Sequence, residues 1–217
     1  MISDENKIKL EELIEEMPIS TEKGERIESV GIIGGGIMGT GIAQASSQAG
    51  LDVIIDEKDE QSTEQSKKRL SESMDREIQR WGMTISEKKA ILQRIKWTTN
   101  IQEVQDCDII IEAVDEDLHL KREIFKKLDQ ICSPTTIFIS NTSTLSLSKI
   151  AEGTKRGDRT IGMHFLNPVP KVPVVEIVRG IETSDDTTHV AKNFAKKLGK
   201  TAVEVFEYPG FITTRVI

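Results

Sequence analysis

The stretch VGIIGGGIMGTGIAQ, Val30 to Gln44, places glycines at 34, 35, 36, 39 and 41 where a β-branched run gives way to a helical one. Glycine is the costliest residue to order, so this density needs a steric reason. Gly34, Gly36 and Gly39 make the spacing GxGxxG directly after a strand and at the start of a helix, the context that a dinucleotide fingerprint requires. In that fingerprint the first glycine permits a tight turn, the second lets backbone N–H groups approach a pyrophosphate, and the third lets helix and strand pack closely. The helix N-terminus then turns its partial positive charge toward the phosphates.

Glycine-rich turns are common, so the sequence downstream has to carry part of the argument. A second strand, DVIID, ends in Asp56 followed by Glu57, where such folds place the acid that binds the adenosine ribose. An acid there favours NAD, because it would repel a 2'-phosphate, although Lys58 tempers the point. The competing reading is a structural turn with incidental acids.

Working outward, β-branched runs alternate with amphipathic helical stretches. The expected strands are VGIIG, DVIID, DIIIEAV, TIFIS, RTIGMHF, VPVVEIV and TAVEVF, and the expected helices are IMGTGIAQASSQAG, 60–81, 117–131 and 185–198. Such an alternation of apolar strands and helices predicts an α/β, Rossmann-like doubly wound and mostly parallel sheet. Residues 4–17 read as a charged helix stopped by Pro18. The expected organisation is therefore an N-terminal extension over 1–27, a dinucleotide-binding domain over 28–207, and a further segment over 208–217.

Bulk properties bound the partners. The 217 residues carry a formal charge of -7, so there is no surplus of basic groups to displace phosphate counterions from a nucleic acid. Two cysteines, Cys107 and Cys132, have no ligand-like spacing, so reduced thiols, no metal site and a cytoplasmic protein are expected. The acidic N-terminus has the character of neither a signal nor a transit peptide, and no run reaches membrane-spanning length.

At SNTST, GMHFLNPVP and VVEIVRG the chain resembles the L-3-hydroxyacyl-CoA dehydrogenases, the 3-hydroxybutyryl-CoA dehydrogenase type included, from about Glu28 onward. GGGIMGTGIAQ and IEAVDEDLHLKREIF extend the likeness over most of the chain. The resemblance implies that His164 is the catalytic base, Glu176 its orienting carboxylate and Ser143 a polar contact at the substrate hydroxyl. It implies NAD contacts at Gly34, Gly36, Ile37, Met38, Gly39, Glu116, Lys121, Ser143 and Asn167, with Glu57 as the ribose acid and Asp56 the nearest alternative. Ser73 and Arg80 fall where the family contacts coenzyme A. The implied partners are an acyl-CoA substrate and, through a helical C-terminal domain, a second copy of the chain.

The chemistry asks for these residue types. Oxidising a secondary alcohol sends hydride to the nicotinamide and leaves a proton for a base, and histidine is the side chain whose ordinary pKa lies nearest neutrality. A carboxylate on its other nitrogen fixes the tautomer and stabilises the imidazolium. Taken singly, His164 also suits a satisfied core position, Ser143 a turn cap, and Glu176 a buried acid with any partner. His119 and His189 fall on polar helical stretches and are expected to be solvated.

Arg69, Ser73, Arg76 and Arg80 recur on one face of the helix after Glu57, beside Leu70, Met74, Ile78 and Trp81. That face is either a patch for coenzyme A phosphates or a surface stripe paired with Glu72 and Glu77. The family continues into a helical domain whose opening reads Pro-Gly-Phe-Ile-x-Asn-Arg; here YPGFITTRVI has Thr214 in place of the asparagine and the sequence stops. A truncated member is therefore expected. Its alternatives are an NAD-binding module with little turnover and a dehydrogenase of another hydroxy acid.

Overall fold

Val- and Ile-rich runs form strands because β-branched side chains suit a pleated surface, and eight of them assemble into one sheet in the computed structural model, which describes residues 27–207. They are β1 (Ser29–Ile33), β2 (Asp52–Asp56), β3 (Ile95–Thr98), β4 (Ile109–Glu112), β5 (Ile137–Ser140), β6 (Thr160–Phe165), β7 (Val174–Arg179) and β8 (Thr201–Phe206). The sheet order is β3-β2-β1-β4-β5-β6-β7-β8. All neighbours are parallel except β6 and β7.

The helices are α1 (Ile37–Gln48), α2 (Glu60–Gln79), α3 (Ile85–Gln93), α4 (Leu118–Ile131), α5 (Leu147–Ala151) and α6 (Asp185–Lys197). Alternate strand residues split the core between the two sheet faces. Ile109 and Ile111 join Ile42 of α1, Leu70 of α2 and Phe194 of α6, whereas Ile110 joins Phe125 of α4 and Ile150 of α5. The doubly wound α/β expectation is met. Since β2 and β4 both flank β1, the strand order reverses there, and a crevice opens at the carboxyl ends of these strands.

One local expectation needs correction. The helix expected to run to Trp81 ends at Gln79, and Trp81 takes φ 57° and stands 96% exposed. The stripe of Leu70, Met74 and Ile78 packs inward without it. The segment after it, where the sequence reading named no element, holds α3 and β3. Thr84 and Glu87 cap α3 reciprocally, and this Thr-x-x-Glu spacing is a helix-start signal that was present in the sequence. The helix expected over 4–17, the segment 208–217 and Thr214 lie outside the described residues.

Candidate active site and cofactor cleft

The glycine turn adopts the geometry its spacing demands. Gly34 sits at φ 94°, in the left-handed region that only glycine enters cheaply, and its N–H donates to the Asp56 carbonyl at 2.9 Å. A Cβ at Gly39 would overlap the Gly34 carbonyl oxygen, whereas at Gly36 it would meet nothing. Gly39 thus lets α1 pack against the turn, and Gly36 leaves the crevice open. Gly36 caps α1 without a side-chain hydrogen bond, so the first-turn amides are not satisfied by a capping side chain. Ile37 is largely exposed beside them, while Met38 packs against the core.

A cavity of about 600 Å³ lies over this turn, lined by Gly34, Gly35, Gly36, Asp56, Glu57 and Arg69 among others. Its shape and donors suit a dinucleotide: open amides for phosphate, acids for ribose hydroxyls. Glu57 Oε1 accepts the Gly35 N–H at 3.0 Å, so Glu57 reaches the turn itself. Asp56 is buried beside it, and its Oδ1 has no hydrogen-bond partner among the described residues. Burial first, then the charges of Glu57 and Glu103, push its carboxyl up to about 6.

Further along the same edge, the antiparallel pairing of β6 and β7 sets His164 directly opposite Glu176. His164 Nδ1 lies 2.6 Å from Glu176 Oε2, with the two side chains 11% and 2% exposed. A carboxylate at that distance claims Nδ1–H, making Nε2 the ring nitrogen that would exchange a proton. His119 and His189 are exposed on α4 and α6.

Between crevice and dyad runs the turn Asn141–Thr144. Glu116 Oε1 accepts from the Thr142 hydroxyl (2.5 Å), the Ser143 amide (2.9 Å) and the Thr144 amide (3.1 Å). Lys121 is 1% exposed, with its ammonium 2.7 Å from Glu112 and 3.2 Å from Glu116. Burial pulls the Glu116 carboxyl up, but the Thr142 hydroxyl, the Lys121 ammonium and the Ser143 amide outweigh it and hold it at about 2. Lys121, expected to contact NAD, thus sits behind two carboxylates.

A second cavity, about 430 Å³, brings Arg69, Ser73, Arg76 and Arg80 of α2 against Asn167 and Lys171 of the loop after β6. Glu72 is near Lys68 at 3.9 Å and Glu77 accepts from Gln44, and Glu77 lines this cavity together with the arginines. Arg69 Nη1 also donates to the Gly35 carbonyl at 2.7 Å, tying the two cavities together. The loop itself is held by buried Lys200, whose ammonium donates to the Val169 and Val172 carbonyls at 2.5 and 2.7 Å. Burial holds its pKa below the usual lysine range.

Lys171, Lys200 and Glu112 were not singled out from the sequence. Glu112 alone left a signal, an acid closing the unbroken apolar run IIIE. Cys107 and Cys132 are free and buried, and burial pushes their thiols up to about 12 and about 11, so neither is a ready nucleophile. Among the described residues no His, Cys, Asp and Glu cluster could hold a metal ion, and no helix is long and apolar enough to cross a membrane.

Residues 29–208 match the model of the family described as 3-hydroxyacyl-CoA dehydrogenase, NAD binding domain. A Bacillus subtilis protein named "Probable 3-hydroxybutyryl-CoA dehydrogenase" is 42% identical over 191 residues, covering 88% of this chain and 67% of its own length. The Clostridioides difficile 3-hydroxybutyryl-CoA dehydrogenase is 37% identical, covering 86% of this chain and 66% of its own. The crystal structure of (S)-3-hydroxybutyryl-CoA dehydrogenase from Ralstonia eutropha superposes with a TM-score of 0.85 at 40% identity, over 88% of this chain and 68% of that one. The chain spans about two thirds of the length of these relatives.

Proposed function

The chain belongs to the 3-hydroxyacyl-CoA dehydrogenase family through its NAD-binding domain, and from that premise we propose that it interconverts L-3-hydroxyacyl-CoA and 3-oxoacyl-CoA. NAD is the cofactor of the family's domain and supplies the hydride acceptor. The reading is carried by the 2.6 Å pairing of His164 with Glu176 across β6 and β7.

In the oxidative direction His164 takes the proton of the C3 hydroxyl at Nε2 while hydride leaves C3. Glu176 holds the imidazole by Nδ1 and offsets the charge it gains. Ser143 lends a hydroxyl to orient the reacting oxygen. The reverse reaction runs with His164 as acid. Gly34, Gly36, Ile37, Met38 and Gly39 form the phosphate turn, Glu57 binds the ribose hydroxyls, and Glu116 and Asn167 border the nicotinamide end, with Lys121 holding Glu116 from behind. The face of Arg69, Ser73, Arg76 and Arg80 receives the nucleotide end of coenzyme A, since only that end carries phosphates for guanidinium groups.

The test follows the loss of NADH absorbance as the hydride is transferred, with acetoacetyl-CoA as oxidant. Turnover is expected, and His164→Ala or Glu176→Gln should lower it by roughly 10² to 10⁴ with NADH binding retained, the range for lost acid–base help. Near-native turnover by His164→Ala would overturn the assignment of the base.

A further inference from the structure

We propose that Glu112, at the end of β4, is a positioning residue for this reaction, acting through Lys121 and Glu116 to set the turn that carries Ser143. The inference rests on the dehydrogenase reading above. Glu112 is 0% exposed. It accepts from Lys121 Nζ at 2.7 Å, Ser140 Oγ at 2.7 Å and the Val114 amide at 2.8 Å. Three donors and no acceptor around one carboxyl describe its ionised form, although burial pushes its pKa upward against the pull of Lys121.

Stability alone gives little reason for this arrangement. A buried ion pair is often matched or bettered by apolar side chains of the same volume, and Phe125 and Phe138 already pack against each other on this face of the sheet. What the charges do connect is the site. The Lys121 ammonium also lies 3.2 Å from Glu116, and Glu116 holds the Thr142 hydroxyl and the Ser143 and Thr144 amides. Glu112 reaches the turn by a second route as well: Ser140 donates to Glu112 and accepts the Thr142 amide at 3.3 Å. Glu112 therefore governs both the start of the turn and the carboxylate that clamps its middle. If its charge is removed, Lys121 answers to Glu116 alone, and Ser143 loses its fixed position relative to His164.

The experiment is Glu112→Gln in the whole chain, measured alone and combined with Ser143→Ala. Positioning through Ser143 predicts a kcat lower by ~tenfold or more, a KM for NADH changed less, and a double variant little slower than Ser143→Ala, because residues in one network are non-additive. A kcat within about twofold of wild type, or effects that multiply in full, would overturn the proposal. Hydrogen exchange reads the same coupling without turnover. The Ser143 and Thr144 amides should exchange faster in Glu112→Gln while those of β1 and β2 keep their protection, and an unchanged turn refutes the network. If Glu112→Gln does not fold, Ser140→Ala removes one of the three contacts and should shift kcat and exchange in the same direction. Should the wild-type chain turn over no acyl-CoA ester, the proposed function fails, and exchange still decides whether Glu112 sets the turn.

Discussion

At Asp56 a carboxyl is buried at the end of β2 with one oxygen lacking a partner among the described residues and with Glu57 and Glu103 as neighbouring charges. Lys58 follows it along the chain, and Lys96 is occupied by Glu103 at 2.7 Å. Its pKa is raised from 3.8 to about 6, so across that window the folded state holds more proton than the unfolded chain, and stability falls as pH rises through it. Asp56→Asn removes the charge and keeps the shape. It should stabilise the cofactor-free protein at pH 8 and do little at pH 4. Denaturant unfolding at both values checks this, and equal effects at the two would exclude the buried charge as the cause. Which of two adjacent acids serves the ribose stayed open in the sequence for a physical reason. Asp56 closes β2 and Glu57 begins the loop beyond it, and only the fold shows Glu57 turned onto the Gly35 amide with Asp56 buried beside it.

The second helix shows how far periodicity carries an argument about an element. The spacing of Arg69, Ser73, Arg76 and Arg80 predicted one face, and that face lines one cavity with Asn167 and Lys171. The sequence could not supply the opposing wall, because the loop 167–173 is folded onto the helix by Lys200, a contact 28 and 31 residues away in the chain. Nor did period alone place the end of α2. Trp81 continues the apolar stripe on paper but falls past the C-cap at Arg80, in a left-handed conformation. The short β3, with only Ile95 and Thr98 buried, offers too little alternation to be read as a strand. If the face of α2 meets the nucleotide end of coenzyme A, Arg80→Glu should raise KM for acetoacetyl-CoA roughly tenfold, the scale of one lost hydrogen bond between charged groups. The pantetheine thioester, which lacks the nucleotide phosphates, should be affected far less. Equal changes for both substrates would remove this face from the site.

For the molecule as a whole, the glycine turn, Asp56 and Glu57, Glu116, the turn 141–144 and the His164–Glu176 pair come from the ends of six different strands, β1, β2, β4, β5, β6 and β7, at one edge of the sheet. The single antiparallel neighbour, β7, has its own use: reversing direction after the loop returns Glu176 to the residue opposite His164. The fingerprint glycines were legible because the turn dictates residue type and spacing, whereas His164 and Glu176 were singled out through the family resemblance, each alone suiting an ordinary core position. Glu112, Lys171 and Lys200 were not, because a buried acid or lysine has meaning only once its partners are known. Since every group assigned to the cofactor falls within residues 27–207, the chain should bind NADH in solution and gain stability from it. Ligand at about a hundred times its Kd adds ~2.7 kcal/mol, which for a domain of about this size raises Tm by roughly 5–10 °C. NADPH should give a smaller shift at the same concentration, because an acid at Glu57 in the proposed ribose position would repel its 2'-phosphate; Glu57→Ala should shrink the NADH shift and narrow the difference. Thermal melts with the two cofactors, on the wild type and this variant, decide the point. An NADPH shift equal to or larger than that of NADH would mean that Lys58 and Arg69, which line the same cavity, outweigh the two acids and that the cofactor preference has been assigned the wrong way round.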